Sequence, residues 1–107
     1  MKADRSKAMR LTPETRQIIK QQAAELLGTD CEVRLFGSRL DDDQRGGDID
    51  LLVATPHVIK NRVELECRLA ARLYLRLAGR KVDVLIKDSA SPDRPIDRQA
   101  MQHGVVL

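Results

Sequence analysis

Apolar residues recur along the chain with two different periods, and the change from one period to the other predicts the order of its elements. Between residues 13 and 27 they return every three or four positions, which is the spacing of one face of a helix. Thr12 before Pro13 is typical of a helix start, and Gly28 is typical of a helix stop. The pattern therefore predicts a first helix over 13–27.

The same helical period returns twice, in a long helix over 57–78 with Gly79 as its C-cap and in a short helix over 95–103. Two apolar stripes run along nearly opposite sides of the long helix. One stripe has to cover a sheet, and the other either packs under a second helix or docks a partner. The first stripe comprises Ile59, Val63, Cys67, Ala70, Tyr74 and Leu77, and the second comprises Val58, Leu65, Leu69 and Leu73. We expect Tyr74 to be packed rather than catalytic.

Strict alternation of apolar and polar residues marks the strands. It predicts strands over 31–37, 48–54 and 81–87, and a last strand over 105–107. The resulting order, α-β-β-α-β-α-β, indicates the α/β (α+β) class, with one small mixed β-sheet and helices packed on one face.

The chain has 107 residues, which is enough for one hydrophobic core. Residues 1–10 show no apolar periodicity and are basic, so we expect an N-terminal tail followed by a single domain over 11–107.

Composition narrows the possible partners. The net charge is +3, the basic residues are spread along the chain, and only Phe36 and Tyr74 are aromatic, which argues against a nucleic-acid binder. The two cysteines, Cys31 and Cys67, are too few for a disulfide framework, and we expect both to be reduced and buried. No leader and no apolar run long enough to cross a membrane is present, so the expected location is cytoplasmic.

Three carboxylates fall where the predicted strands would place them together. Asp48 and Asp50 are two positions apart in one strand and therefore share a face. Asp83 lies between Val82 and Val84 in the strand predicted over 81–87, so its side chain points to the face opposite the apolar one. Carboxylate oxygens are the ligands that Mg²⁺ prefers, and three of them can hold the two ions of in-line nucleotidyl transfer. We expect Asp48, Asp50 and Asp83 to be both the metal ligands and the catalytic groups.

A phosphate-binding turn is predicted immediately after the first strand. Gly37 lets the backbone approach an anion closely, and free N–H groups at such a turn bind phosphate oxygens. The hydroxyl of Ser38 adds a donor, and Arg39 either reaches a phosphate or stays in solvent. We expect Gly37, Ser38 and Arg39 to bind the nucleotide.

The motifs together resemble a known superfamily. Leu35-Phe36-Gly37-Ser38-Arg39, then Asp48-Ile49-Asp50-Leu51-Leu52-Val53 and Lys81-Val82-Asp83-Val84, look like the signature of the DNA polymerase β-type nucleotidyltransferases, and most closely like their minimal nucleotidyltransferase branch. The resemblance implies a nucleotidyltransferase fold, ATP as donor and two Mg²⁺ ions. It also implies that Gly37 and Ser38 hold the triphosphate, that Asp48 and Asp50 ligate the metal, and that Asp83 helps activate an acceptor hydroxyl.

The chain departs from the branch between its first two motifs. Members often carry Ala-Arg-Gly after Gly-Ser-Arg and a serine before the first aspartate, whereas this chain has Leu40-Asp41-Asp42 and Gly47. Acidic residues at 41–43 oppose a triphosphate unless the loop turns away from it. The departure concerns the role of that loop more than the three carboxylates.

The resemblance also implies a partner. Minimal nucleotidyltransferases are commonly paired with a small helical HEPN-type protein, as the antitoxin that silences a HEPN ribonuclease toxin by nucleotidylating a hydroxyl, usually of a tyrosine. The apolar stripe of the 58–77 helix that does not cover the sheet would dock either this partner or a second copy of the chain. Two alternative functions stay open: a non-catalytic subunit that neutralises its partner by contact, and nucleotide transfer to an RNA 3′ end.

Overall fold

A computed structural model describes residues 11–36, 49–90, 92 and 94–107 of the chain. The described residues form three helices and four strands in the predicted order. The elements are α1 (Pro13–Leu27), β1 (Glu32–Phe36), β2 (Ile49–Ala54), α2 (Arg62–Arg76), β3 (Val82–Lys87), α3 (Pro95–His103) and β4 (Val105–Val106). The predicted class, a mixed α and β fold around one small mixed sheet, is confirmed.

Local sequence fixes both ends of α1 as predicted. The Oγ1 atom of Thr12 accepts a hydrogen bond from the backbone N–H of Thr15 at 3.1 Å, which satisfies one of the free donors of the first turn. At the other end Gly28 has a φ of +99° and donates its N–H to the carbonyl of Ala24 at 2.8 Å. A Cβ at Gly28 would lie 2.9 Å from Oδ1 of Asp30, so both conformation and space favour glycine there.

The sheet has the order β3-β2-β1-β4, with β2 and β3 parallel and β1 antiparallel to both β2 and β4. One of its faces is covered by α1 and α2, as the apolar pattern predicts. The hydrophobic core lies between these helices and the sheet. Its fully buried members are Ile19, Ala23, Leu51, Val53, Leu69, Leu73 and Ile86.

The prediction that the helices pack on one face is wrong for the short α3, which lies on the opposite face of the sheet. The connections β2-α2-β3 and β3-α3-β4 each join two parallel strands, and they run in opposite directions across the sheet. Connections of this kind are right-handed, so the two helices lie on opposite faces. α3 contacts β1 and β2. It also explains Leu52, which points away from the core because it alternates with Leu51 and Val53 and is nevertheless fully buried.

The long helix is shorter than the predicted 57–78 at both ends. It begins only at Arg62, because the preceding backbone bonds elsewhere: Ile59 donates its N–H to Oδ2 of Asp88 at 2.8 Å, and His57 accepts from the N–H of Ser89 at 3.1 Å. The predicted C-cap at Gly79 is wrong, since the helix ends at Arg76 and Leu77 is its C-cap. Gly79 still closes the turn, with a φ of +80° and its N–H donating to the carbonyl of Tyr74 at 2.9 Å.

The two stripes of α2 have different surroundings. Leu69 and Leu73 of the second stripe are fully buried against the sheet. Much of the first stripe faces solvent, with Val63 65% and Tyr74 51% exposed and Cys67 exposed as well. The predicted packing of Tyr74 and the predicted burial of Cys67 are therefore wrong, because the helix turns its other stripe to the core.

No helix among the described residues is long and apolar enough to cross a membrane.

Candidate functional site

Two of the three predicted carboxylates lie side by side in the sheet. Asp50 on β2 and Asp83 on β3 are register partners in the parallel pair. Phe36, the last residue of β1, is opposite Asp50 on its other side. Neighbouring strands are about 4.8 Å apart, so the two carboxylates are directly adjacent across one strand spacing.

Both carboxylates belong to the face of the sheet that α1 and α2 do not cover. Asp83 is exposed between the buried residues Val82 and Val84, which turn to the core. Asp50 is half-buried between the buried residues Ile49 and Leu51. The alternation of each strand therefore carries apolar side chains to one face and one carboxylate to the other, as the sequence pattern predicts.

The other predicted site residues, Gly37, Ser38, Arg39 and Asp48, lie outside the described residues. Covalent connectivity still relates them to the carboxylate pair. Gly37 follows Phe36, the register partner of Asp50, and Asp48 precedes Ile49 at the start of β2. The segments predicted to bind phosphate and metal are thus joined, in sequence, to the strand ends that carry Asp50 and its partner Phe36.

The adjacent carboxylates suit a hard divalent cation. Two carboxylates one strand apart repel each other, and Mg²⁺ uses one or two protein carboxylates together with water and substrate phosphate. Within the described part of the chain no group of three or more His, Cys, Asp or Glu side chains is close enough to hold a metal ion. The described residues therefore contain two of the three predicted ligands, and the third, Asp48, lies outside them.

A buried polar cluster, which sequence reasoning missed, holds the strand that carries Asp83. Oε2 of Glu66 accepts from the backbone N–H of Ile86 at 2.7 Å and from Nη2 of Arg94 at 3.2 Å. The same Nη2 atom donates to the carbonyl of Ile86 at 3.1 Å. Both outward-facing peptide groups of Ile86 are therefore satisfied by side chains, although β3 is an outer strand of the sheet.

The cluster extends into α3 through Asp97. Its Oδ2 atom accepts from the backbone N–H of Arg94 at 2.9 Å and from Nε of Arg94 at 3.0 Å. The hydrogen bond that Arg94 donates to Asp97 raises the pKa of Arg94 above its usual value; desolvation opposes this effect and Glu66 reinforces it. Glu66 shares the buried row of α2 with Leu69 and Leu73, three and seven positions later, and a charged residue in such a row is the signal that indicates a buried partner.

The comparisons with known proteins agree with this arrangement. The family model of the nucleotidyltransferase domain matches residues 16–107. The chain therefore belongs to the nucleotidyltransferase domain family, of the minimal and DNA polymerase β type, as the motifs predict. No curated protein and no solved structure matches it. Membership supports a nucleotidyl transfer function with a nucleotide substrate.

Proposed function

We propose that this nucleotidyltransferase moves AMP from ATP, with Mg²⁺, onto a hydroxyl group of a partner protein. The observation that carries the proposal is the Asp50–Asp83 pair, two carboxylates in register on the face of the sheet opposite α1 and α2. In this view residues 11–107 act as one catalytic domain after the basic tail 1–10, and the protein works in the cytoplasm.

The reaction joins the acceptor oxygen to the α-phosphorus of ATP and releases pyrophosphate. Asp83 is exposed, so an acceptor hydroxyl can approach it from solvent and give up its proton to the carboxylate. Asp50 is half-buried beside it and belongs to a strand with a fully buried apolar neighbour, Leu51, which fixes its position. The proposed proton acceptor, Asp83, is thus one strand away from Asp50, and this register supports the proposal.

Asp48, Asp50 and Asp83 would hold the metal, and the adjacent oxygen ligands of Asp50 and Asp83 fit that role. Bound Mg²⁺ supplies positive charge that stabilises the triphosphate and lowers the pKa of an attacking hydroxyl. Gly37 and Ser38 would bind the triphosphate through backbone N–H groups and the serine hydroxyl, and Arg39 would neutralise one of its charges.

The acceptor is proposed to be a small helical protein of the HEPN type, with this chain as the antitoxin of a toxin–antitoxin pair. The resemblance supports this pairing, and the solvent-facing stripe of α2 gives it a surface. Val63 and Tyr74 are 65% and 51% exposed there, and Leu75 is 79% exposed. Apolar residues so exposed on one helix favour contact with another helix, either of the partner or of a second copy of this chain.

The direct test uses a purified HEPN-type protein encoded beside this chain, ATP and Mg²⁺. Intact-mass spectrometry is expected to show an increase of one AMP on the partner with the wild-type chain and none with the Asp50→Ala, Asp83→Ala variant. Glu14→Ala removes an exposed carboxylate of α1 that belongs neither to the Asp50–Asp83 pair nor to the exposed stripe of α2. It serves as the matched control and should leave the transfer unchanged. A partner that gains no mass from the active chain would rule out the proposed acceptor.

The exposed stripe of α2 also favours a second function, neutralisation of the partner by contact alone. The Asp48→Ala, Asp50→Ala variant separates the two. Loss of silencing with retained binding indicates catalysis, whereas retained silencing indicates contact. Nucleotide addition to an RNA 3′ end is checked in the same series by measuring RNA length.

A further inference from the structure

A groove of about 950 Å³ opens between α1 and the β4 edge of the sheet. One wall is a single face of α1, on which Pro13, Arg16, Lys20 and Ala24 follow one another at helical spacing. The floor is formed by the start of β1 and by β4, including Val33 and Val106. The groove is therefore bounded by a helix on one side and by the outermost strand of the sheet on the other.

The wall of the groove carries two cationic side chains, Arg16 and Lys20. Among the described residues no carboxylate forms an ion pair with either of them. Of the described side chains that line the groove only that of Glu32 is acidic, and it is paired with Arg34, whose Nη2 is 3.0 Å from its Oε1. The groove therefore favours a ligand that carries negative charge.

The floor presents backbone groups that can bind another strand. Leu107 donates its N–H to the carbonyl of Val33 at 2.9 Å, and Val106 is the register partner of Arg34. In an antiparallel pair hydrogen-bonded and non-hydrogen-bonded positions alternate, so the N–H and C=O of Val106 point away from β1. β4 is the outer strand on this side of the sheet, and Val106 is 47% exposed.

We propose that this groove binds an extended, acidic polypeptide segment of a partner protein, which adds as a strand to β4. Its backbone bonds to the outward groups of Val106, and its acidic side chains reach Arg16 and Lys20. A second copy of this chain would bring the same two cations against each other. The chain's residues 1–10 carry more basic than acidic residues, so their charge also opposes such a site.

The groove is separate from the carboxylate pair. It lies at the start of β1, whereas Asp50 is opposite Phe36 at the end of that strand, and β1 lies between β4 and β2. Occupation of the groove therefore leaves the face of Asp50 and Asp83 open. The inference goes beyond the proposed transfer and does not depend on it, because binding of the segment requires neither nucleotide nor metal.

The test uses fluorescein-labelled peptides of about six residues, the usual length of a strand. One alternates glutamate and valine, and its matched control alternates lysine and valine. We expect fluorescence anisotropy to show that the acidic peptide binds the full chain and that salt weakens this binding. Binding to the Arg16→Glu, Lys20→Glu variant should be weaker by about tenfold or more. A Lys60→Glu, Arg76→Glu variant, which changes the same charge on exposed residues outside the groove, should bind as the wild type does.

Two measurements isolate the backbone contact. Val106→Pro removes the outward N–H and leaves the hydrogen bond from Leu107 to Val33 in place, so binding of the acidic peptide should weaken about tenfold. A peptide N-methylated along one edge should lose binding to the unaltered protein, which keeps the test independent of how the proline variant folds. The proposal is overturned if the acidic peptide does not bind or if it binds both charge variants equally. It is also overturned if neither the peptide methylated along one edge nor the peptide methylated along the other edge loses binding.

Discussion

Asp50 and Asp83 are opposite each other across the parallel strands β2 and β3, and each alternates with side chains buried in the core. The core packing of Leu51 and Val84 therefore decides on which face the carboxylates lie. A slip of one residue in either strand would turn its carboxylate into the core. The register that builds the hydrophobic core also builds the candidate metal site.

A divalent cation should bind at this pair before it binds elsewhere. Titration with Mn²⁺, a paramagnetic substitute for Mg²⁺, is expected to broaden the amide resonances of Asp50 and Asp83 first, and those around Glu64 last. Asp83→Asn keeps the shape of the side chain but removes its charge, and should weaken binding of the ion by about tenfold or more. Broadening that begins near Glu64, or that persists unchanged in Asp83→Asn, would contradict the assignment.

The Glu66 cluster should be a main source of stability for β3. Glu66→Ala leaves the N–H of Ile86 without its acceptor and removes one of the two carboxylates that pair with Arg94, so we expect a loss of about 1–3 kcal/mol in the free energy of unfolding. Glu66→Gln keeps an acceptor and should lose less. Urea denaturation followed by circular dichroism measures both.

The exposed pair Glu64–Arg68, one turn apart on the same helix, is the matched control. Removing it through Glu64→Ala should change stability by less than about 0.5 kcal/mol, because surface ion pairs are screened by water. Equal losses for Glu64→Ala and Glu66→Ala would mean that the buried cluster has no special role.

The N-cap of α1 should contribute measurably on its own. Thr12→Ala removes the acceptor of the Thr15 N–H, and we expect a loss of about 1 kcal/mol. Thr12→Ser retains the hydroxyl and should keep most of the stability that Thr12→Ala loses. The midpoint of urea denaturation distinguishes them, and identical midpoints for alanine and serine would exclude a capping role.

The two thiols should differ in reactivity. Cys67 is exposed on α2, whereas burial raises the pKa of the Cys31 thiol. Because the thiolate is the reactive form and Cys67 is also the more accessible thiol, Cys31 should react more slowly with iodoacetamide at neutral pH than Cys67 does. Peptide mapping of partly alkylated protein gives both rates. Faster labelling of Cys31 would show that its thiolate is not disfavoured.

The sequence predicts this fold well where a strong local pattern coincides with the final packing. α1 has the predicted bounds because its cap, its apolar face and Gly28 all indicate the same helix. The pairing of Asp50 with Asp83 was expected because alternation and strand order both favour it. Local pattern fails where distant residues decide: the start of α2 depends on Asp88, twenty-nine positions after Ile59. The position of α3 depends on the handedness of two crossovers.

The same limit applies to the candidate site. The adjacency of Asp50 and Asp83 can be predicted from the sequence because the alternation within each strand is local. The predicted turn at Gly37 and Ser38, and the predicted ligand Asp48, lie outside the described residues. The Glu66–Arg94 contact cannot be predicted from spacing, since the two residues are twenty-eight positions apart and meet only when β3 lies at the edge of the sheet. Which stripe of α2 stays exposed likewise depends on how the helix is rotated over the sheet.

The central claim, a metal-dependent nucleotide site at these carboxylates, is tested most directly by calorimetry. ATP is titrated into the purified chain with and without Mg²⁺, beside the Asp48→Ala, Asp50→Ala variant. The account predicts binding that requires Mg²⁺ and is lost in the variant, whose circular dichroism spectrum stays that of the wild type. Binding that is unchanged in the variant, or a folded wild type that binds no ATP with Mg²⁺, would contradict it.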